Sequence, residues 1–211
     1  MKNYITPLLL FYHLVSTAQV AKDHSEFLRT GEFEEQIANL GPGCRIKLDI
    51  PKEAKLGQGY QNKQYRGMAG FSTGKFENFS NDGEWSFDFE CYSTEEEQFK
   101  VSWKNRSPKE HVNFVIEDGR KKFKNEEGST FIPVKSVNAE GWVLTFDDTT
   151  GEERFRSRYL RYCIKAQESA ICGSSNIGYI HFINNKKNID ITSYAFKVIE
   201  SIEFLEDAPP N

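Results

Sequence analysis

Two cysteines, Cys163 and Cys172, stand nine positions apart in the stretch YCIKAQESAICG. A tight turn centred on Gln167 and Glu168 would place them directly opposite each other on two antiparallel strands, and a four-residue loop would keep the same pairing. Cβ atoms at such positions are about 4.5–5.5 Å apart, which is close enough for a disulfide after a slight adjustment. The spacing therefore predicts a hairpin that is closed by a Cys163–Cys172 disulfide.

The other two cysteines, Cys44 and Cys91, belong to segments in which every second residue is apolar. In CRIKLDIP and in WSFDFECY the cysteine falls on the apolar face of this alternation. A period of two is typical of a β-strand with one face in the core. Both thiols are therefore expected to point inward, and a Cys44–Cys91 disulfide follows if the two strands lie close together.

Zinc binding explains the four cysteines less well than disulfides do. Structural zinc sites use close pairs such as C-x-x-C, which the sequence lacks, and His24, His111 and His181 show no ligand spacing. Buried free thiols in a cytosolic protein are the other alternative. We expect two disulfides, and neither a metal nor a cofactor.

The common catalytic motifs are absent from the sequence in their required spacing. CGSS and STGK contain the residue types of a nucleophile elbow or a phosphate loop without the spacing, and DDTTG has one Thr more than the D-T-G triplet of aspartic proteases. Paired carboxylates are plentiful, but they fall in polar segments that read as solvated turns. We therefore predict a protein without catalytic residues. A hydrolase whose catalytic residues are dispersed along the chain is the alternative.

The first 18 residues have the pattern of a signal peptide. Lys2 supplies a positive charge, LLLFYHLV supplies a short apolar run, and cleavage is expected after Ala18 or Ala21. The apolar run is shorter than the about 18–20 residues that a membrane-spanning helix needs, and a buried first strand or helix is the alternative. Cleavage before Gln19 would remove Lys2 and change the net charge from −4 to −5. We expect a periplasmic or secreted protein, in a compartment where disulfides persist.

Length and net charge indicate the number of domains and argue against nucleic-acid binding. A chain of 211 residues has room for one domain with a substantial core. The net charge of −4 argues against a nucleic-acid-binding protein, which normally carries an excess of basic residues.

The spacing of apolar residues predicts the helices and strands that position the cysteines. Residues 19–43 have a partly helical pattern that Gly41-Pro42-Gly43 ends, and residues 191–202 predict an amphipathic helix with Asp190 as its N-cap, followed by a short strand in SIEFL. The expected strands between them are Arg45–Ile50, Glu84–Cys91, Phe99–Lys104, Val112–Glu117, Trp142–Asp147, Phe155–Ile164 and Ile177–Ile183. Strands followed by one helix predict an α+β fold, in which a mostly antiparallel sheet is covered by the C-terminal helix. One domain is expected over residues 44–207, with a frayed tail at 208–211.

A glycine-rich loop, GQGYQNKQYRGMAGF, is the first candidate binding surface. Tyr60, Tyr65, Met68 and Phe71 punctuate this loop. Exposed aromatic side chains on a loop suit the recognition of a partner. The alternative is that these side chains enter the core and fix the loop.

The stretch RFRSRYLRY is the second candidate. It would place Arg154, Arg156 and Arg158 on one face of a strand, where they could bind an acidic partner or an anion. The alternative is an outer face whose arginines pair with the acids of DDTTGEE across the hairpin.

The stretches CRIKLDIP, RYCIKAQESAICGSSNIGYIHF and ITSYAFKVIESIEFLED together resemble small exported proteins of Gram-negative bacteria, including periplasmic immunity proteins against type VI secretion effectors. The last of them also resembles the end of the Mog1/PsbP-like α/β sandwich. The resemblance implies a protein that neutralises a secreted toxin or effector by occluding its active site. A periplasmic binding module for a carbohydrate, a lipid or an anionic ligand is the alternative.

Overall fold

The fold consists of two antiparallel sheets and a short C-terminal helix. The computed structural model describes residues 31–59, 67–75, 83–96, 99–100, 113–117, 120–124, 129–184 and 191–207. The smaller sheet has the order β1-β2-β12 and contains β1 (Phe33–Asn39), β2 (Arg45–Pro51) and β12 (Glu203–Leu205). The larger sheet has nine strands in the order β3-β4-β5-β11-β10-β9-β8-β7-β6.

The nine strands of the larger sheet are β3 (Lys55–Gln58), β4 (Met68–Lys75), β5 (Glu84–Ser93), β6 (Asn113–Glu117), β7 (Arg120–Lys124), β8 (Thr130–Lys135), β9 (Glu140–Asp147), β10 (Ser157–Ala166) and β11 (Ser169–Tyr179). The helices are α1 (Ile180–Asn184) and α2 (Thr192–Ser201), and a 3₁₀ turn covers Glu153–Phe155. The prediction of an α+β fold with a mostly antiparallel sheet and a helix near the C-terminus is confirmed.

Alternation of apolar and polar residues explains how each strand of the core is placed. In β5 the side chains of Trp85, Phe87 and Phe89 are buried, whereas Asp88 and Glu90, which alternate with them, are exposed. Burying a side chain of this size stabilises the fold by about 1.5–3 kcal/mol, so the aromatic face is directed inward. The acidic face of β5 is thereby directed outward, and we call this side of the nine-stranded sheet the outer face.

The main core lies between the inner face of the larger sheet, the smaller sheet and α2. Val198 and Ile199 of α2 are fully buried, as are Ile46 and Ile50 of β2. The two layers are also joined by hydrogen bonds, because Asn138 in the β8–β9 turn both donates to and accepts from the backbone of Phe204 in β12, at 2.8 and 2.9 Å.

Both predicted disulfides are confirmed. Cys44 and Cys91 join the smaller sheet to β5 of the larger one, with a Cα–Cα distance of 6.1 Å. Cys163 and Cys172 pair directly across β10 and β11, and their Cα atoms are 4.0 Å apart. The turn between them is centred on Gln167 and Glu168 as expected, since Ala166 faces Ser169 in the register.

Residues 33–39 form a strand, so the prediction of a helix is wrong there. The strand β1 pairs with β2 from Phe33 opposite Pro51 to Asn39 opposite Arg45. Phe33 also stacks on Tyr194 of α2, with ring centroids 6.0 Å apart. Pairing with β2 satisfies the backbone groups of β1 that face it, and this tertiary gain overrides a weak helical preference.

Three of the predicted strands also include residues that adopt another conformation. Phe99 and Lys100 are helical, while residues 101–104 lie outside the described residues. Phe155 belongs to the 3₁₀ turn, so β10 begins only at Ser157. The strand β11 ends at Tyr179, and the next residues form α1. Among the helices in the described part of the chain, none has the length and apolar character needed to cross a bilayer.

Candidate binding site on the outer face

One row of side chains crosses the outer face at the centre of the larger sheet. Glu90 on β5 lies opposite Cys172 on β11, Cys172 faces Cys163 on β10, and Cys163 faces Trp142 on β9. Neighbouring strands are about 4.8 Å apart, so these four residues lie side by side across about 14 Å. The disulfide therefore occupies the middle of the row, with a carboxylate on one side and an indole on the other.

A pocket of about 330 Å³ opens over this row. The disulfide forms part of its lining together with four aromatic residues, Tyr92, Phe99, Trp142 and Tyr162. Phe99 and Trp142 are buried and belong to a second apolar cluster, which is separate from the main core and includes Cys163. The centre of the sheet is thus covered on both faces, and this gives the pocket rigid apolar walls.

The polar residues of the pocket are held by their neighbours. The backbone N–H and the hydroxyl of Ser174 both donate to Oδ1 of Asp88, at 2.9 and 3.0 Å. The hydroxyl of Tyr92 donates to the carboxylate of Glu90. Both acids therefore keep a defined orientation on the surface while they remain exposed to solvent.

Gly173 on β11 allows a close approach to the backbone of β5, the strand that carries these acids. A Cβ atom at this position would overlap the carbonyl oxygen of Asp88 and would stand 2.9 Å from the ring of Tyr162. The missing side chain lets Tyr162 reach across from β10 and donate a hydrogen bond to that carbonyl at 2.9 Å. The position of Asp88 therefore depends on a glycine in β11.

Two carboxylates, Asp88 and Glu90, and one guanidinium, that of Arg161, line the pocket, so its formal charge is negative. Burial is the main cause of the raised pKa of the Tyr92 phenol, and the hydrogen bond to Glu90 raises this pKa further. The charges of Glu96 and Asp88 act in the same direction. The phenol consequently stays protonated at neutral pH and serves as a donor to Glu90.

Arg161 also lines the pocket but directs its charge to one side. Its guanidinium lies over the ring of Phe146, 5.3 Å from the ring centroid. Arg161 pairs with Leu144 on β9, and Phe146 is two residues further from Trp142. The guanidinium therefore points away from the Glu90–Trp142 row.

Of the four side chains selected in the glycine-rich loop, the structure describes two, and one of these two is exposed. Met68 is 53% exposed at the start of β4, but Phe71 is only 4% exposed and packs against Trp85 and Phe87. Phe71 belongs to the core, so its assignment as a partner-contacting residue is wrong. Tyr60 and Tyr65 lie outside the described residues.

The three arginines do not share a strand face. Arg154 lies in the 3₁₀ turn, Arg156 lies just before β10, and Arg158 lies within β10. Arg158 forms a two-point ion pair with Asp147 at 2.6 and 2.8 Å, and Arg154 pairs with Glu152 at 2.9 Å. The prediction of a basic strand face is therefore wrong. As in the alternative, Arg154 and Arg158 pair with acids of the DDTTGEE segment.

A second pocket, also of about 330 Å³, lies where the β9–β10 hairpin meets α1. Three of its ionisable groups are engaged locally. Asp147 is bound by Arg158, Asp148 accepts from Thr150 at 2.9 and 2.8 Å, and Arg156 donates to the carbonyl of Gly151. This pocket is therefore a weaker candidate for ligand binding than the outer-face pocket.

The main residues of the outer-face pocket were not selected by sequence reasoning, which treated the polar face of β5 as solvent-facing. Asp88, Glu90 and Tyr92 occur at every second position, so the alternation does place them on one face. Their proximity to Trp142 depends on the placement of β11 and β10 between β5 and β9. No group of three or more metal-ligating side chains comes together within the described residues.

Comparison with known proteins assigns no family to the chain. No protein-family model matches the sequence, and no curated protein matches it either. The two disulfides fit an extracellular or periplasmic protein, because such bonds persist in oxidising compartments.

Proposed function

We propose that the protein is an exported binding protein that recognises a protein partner through the outer face of the nine-stranded sheet. We further propose that this partner is a secreted antibacterial effector, whose active site is occluded in the complex. The proposal assigns no catalytic step to the chain. It also takes the helix α2 and the strand β12 that follows it as the equivalents of the Mog1/PsbP-like ending.

The observation that carries the proposal is the rigid pocket at the centre of the outer face. Protein interfaces concentrate their binding energy in a few residues that fill well-packed pockets, and aromatic residues are enriched among them. Here the walls are Tyr92, Phe99 and Trp142, and the disulfide fixes the two strands between them. A site of this kind binds a side chain of the partner without prior rearrangement, which reduces the entropic cost of binding.

The surrounding face has the dimensions of an interface. Five neighbouring strands lie side by side around the pocket in the order β5-β11-β10-β9-β8, and β10 contains ten residues. At the usual strand spacing and rise this is a projected area of about 600 Å², which approaches the about 800 Å² that each partner buries in an interface of standard size. The central strands with part of their rim are therefore large enough for a specific complex.

The test begins with the native bacterium. The full chain, carrying a C-terminal affinity tag, is isolated from the cell envelope and its bound proteins are identified by mass spectrometry. The proposal expects a protein partner that kills or arrests cells when it is exported alone and is harmless when this chain is co-expressed. A partner without toxicity, or a small molecule as the only companion, would refute the effector role.

A matched pair of variants connects this test to the outer face. Trp142→Leu shortens one wall of the pocket, whereas Val137→Ser changes an exposed residue of the β8–β9 turn. Protection should be lost with the first variant and retained with the second, provided that both are secreted at wild-type levels. Equal protection by both variants would place the interface elsewhere.

A further inference from the structure

We infer that the outer-face pocket binds the side chain of a basic residue, arginine or lysine, that projects from the partner protein. This inference rests on the proposed function, since it names the chemistry of the group that enters the same site. It is argued from the walls, the charges and the size of the pocket.

The aromatic walls suit a cation. Tyr92 on β5 and Trp142 on β9 stand on opposite sides of the Cys163–Cys172 disulfide, and Phe99 is a third ring of the lining. Aromatic faces attract an ammonium or guanidinium group placed within about 6 Å of the ring centroid, and tryptophan does so most strongly. The methylene groups of arginine or lysine can at the same time cover the apolar surface of the rings.

The carboxylates supply hydrogen-bond acceptors. Glu90 lies in the row itself, and Asp88 lies two residues away on the same face of β5. A carboxylate has about four lone-pair positions, and the hydrogen bonds from Tyr92 and Ser174 occupy only some of them. A guanidinium carries five donors in a planar arrangement that matches a carboxylate.

The charge balance favours a basic group over an anion. The guanidinium of Arg161 is directed over Phe146 and away from Glu90, as described above. The two carboxylates of β5, Asp88 and Glu90, therefore outnumber the single basic residue that lines the pocket. An anionic ligand would be repelled there, and the whole chain carries a net charge of −4, which steers basic partners toward it.

The size of the pocket fits one side chain. Its volume of about 330 Å³ lies at the lower end of the range of about 300–1,000 Å³ that is typical of small-molecule sites. Such a space admits one long side chain with its methylene groups and its charged end. The pocket therefore has the dimensions of an anchor point within a larger interface.

The inference is tested with a small probe and its neutral isostere. N-acetylarginine methylamide and N-acetylcitrulline methylamide are titrated into ¹⁵N-labelled, oxidised protein, and backbone NMR shifts are recorded. The arginine probe should give saturable shifts in β5, β10 and β11, and the citrulline probe, which has the same shape without charge, should bind at least fivefold more weakly. Equal binding of both probes, or shifts elsewhere, would overturn the inference.

Two charge-matched variants sharpen the result. Glu90→Gln removes one carboxylate from the pocket, and Glu206→Gln removes an exposed carboxylate after β12. The first variant should lower the affinity for the arginine probe about fivefold, which corresponds to the largest contribution expected of an exposed ion pair. The second variant should leave this affinity unchanged. Preferential binding of a neutral sugar such as N-acetylglucosamine would instead show a carbohydrate site.

The two proposals fail in different ways. If the partner protein binds Glu90→Gln as tightly as wild type, the basic anchor is refuted and the binding role stands. If Glu90→Gln lowers the affinity for a partner protein that has no toxicity, the basic anchor is supported and the effector role is refuted.

Discussion

Removal of the disulfide between the two sheets should destabilise the protein more than removal of the disulfide within the hairpin. In the chain-entropy description, a disulfide stabilises the fold by restricting the unfolded chain, and its contribution grows with the length of the loop it closes. Cys44 and Cys91 are 47 positions apart, whereas Cys163 and Cys172 are 9 apart. These loops correspond to about 4.1 and about 2.6 kcal/mol at 25 °C.

Packing acts in the same direction as loop length. Cys44 and Cys91 lie in the main core and link strands of different sheets, so their replacement also leaves space in the core. Cys163 and Cys172 bridge two strands whose register is already fixed by their backbone pairing. The Cys44→Ala/Cys91→Ala variant should therefore lose at least about 4 kcal/mol, and the Cys163→Ala/Cys172→Ala variant about 2–3 kcal/mol.

Equilibrium unfolding in urea, followed by circular dichroism, measures both losses. In thermal unfolding of a domain of this size, each kcal/mol lowers the melting temperature by about 2–4 °C, so the expected decreases are about 8–16 °C and about 4–12 °C. A greater loss from the hairpin variant than from the inter-sheet variant would refute the reasoning. So would a variant of either pair that is as stable as the oxidised wild type.

Three further predictions concern single residues. Gln167→Gly should stabilise the protein by about 0.5–1 kcal/mol in urea unfolding, because Gln167 has a φ of +49° that a side chain disfavours, while Glu168→Gly should not stabilise it. Gly173→Ala should destabilise it by about 1–3 kcal/mol in the same assay, because the added Cβ would overlap the carbonyl of Asp88; wild-type stability would show that β5 and β11 separate easily. The folded-state pKa of Tyr92 is raised above its unfolded value of 10.0, so this residue contributes stability that is complete below about pH 10 and is lost as the pH rises through the folded pKa. Tyr92→Phe should remove that alkaline contribution from the pH dependence of unfolding, and an unchanged alkaline slope would contradict the assignment.

The local sequence pattern was sufficient to predict those structural elements whose conformation depends on residues close together in the chain. The Cys163–Cys172 register follows from counting outward from one turn, and the turn depends only on residues between the cysteines. The helix α2 has an amphipathic pattern whose apolar residues pack against β2, so its period is visible in the sequence. Both features could be predicted because neither requires knowledge of a distant partner.

Most features that depend on distant strands were not predicted. The Cys44–Cys91 disulfide is an exception, because both thiols fall on the apolar face of their strand patterns. Residues 33–39 have no strong alternation, and their strand conformation depends on pairing with β2. The outer-face pocket combines residues of β5, β9, β10 and β11, and the position of β11 beside β5 is a matter of topology. The arginine pattern was misread because a 3₁₀ turn at Glu153–Phe155 breaks the expected strand.

Hydrogen exchange of the complex tests the central claim most directly. The protein is purified after export of the full chain, and amide exchange is compared with and without the partner recovered from the native envelope. We expect added protection at Asp88–Tyr92 and at residues 161–174 around the disulfide row, with no change in α2. Protection confined to the smaller sheet and α2 would contradict recognition through the outer face.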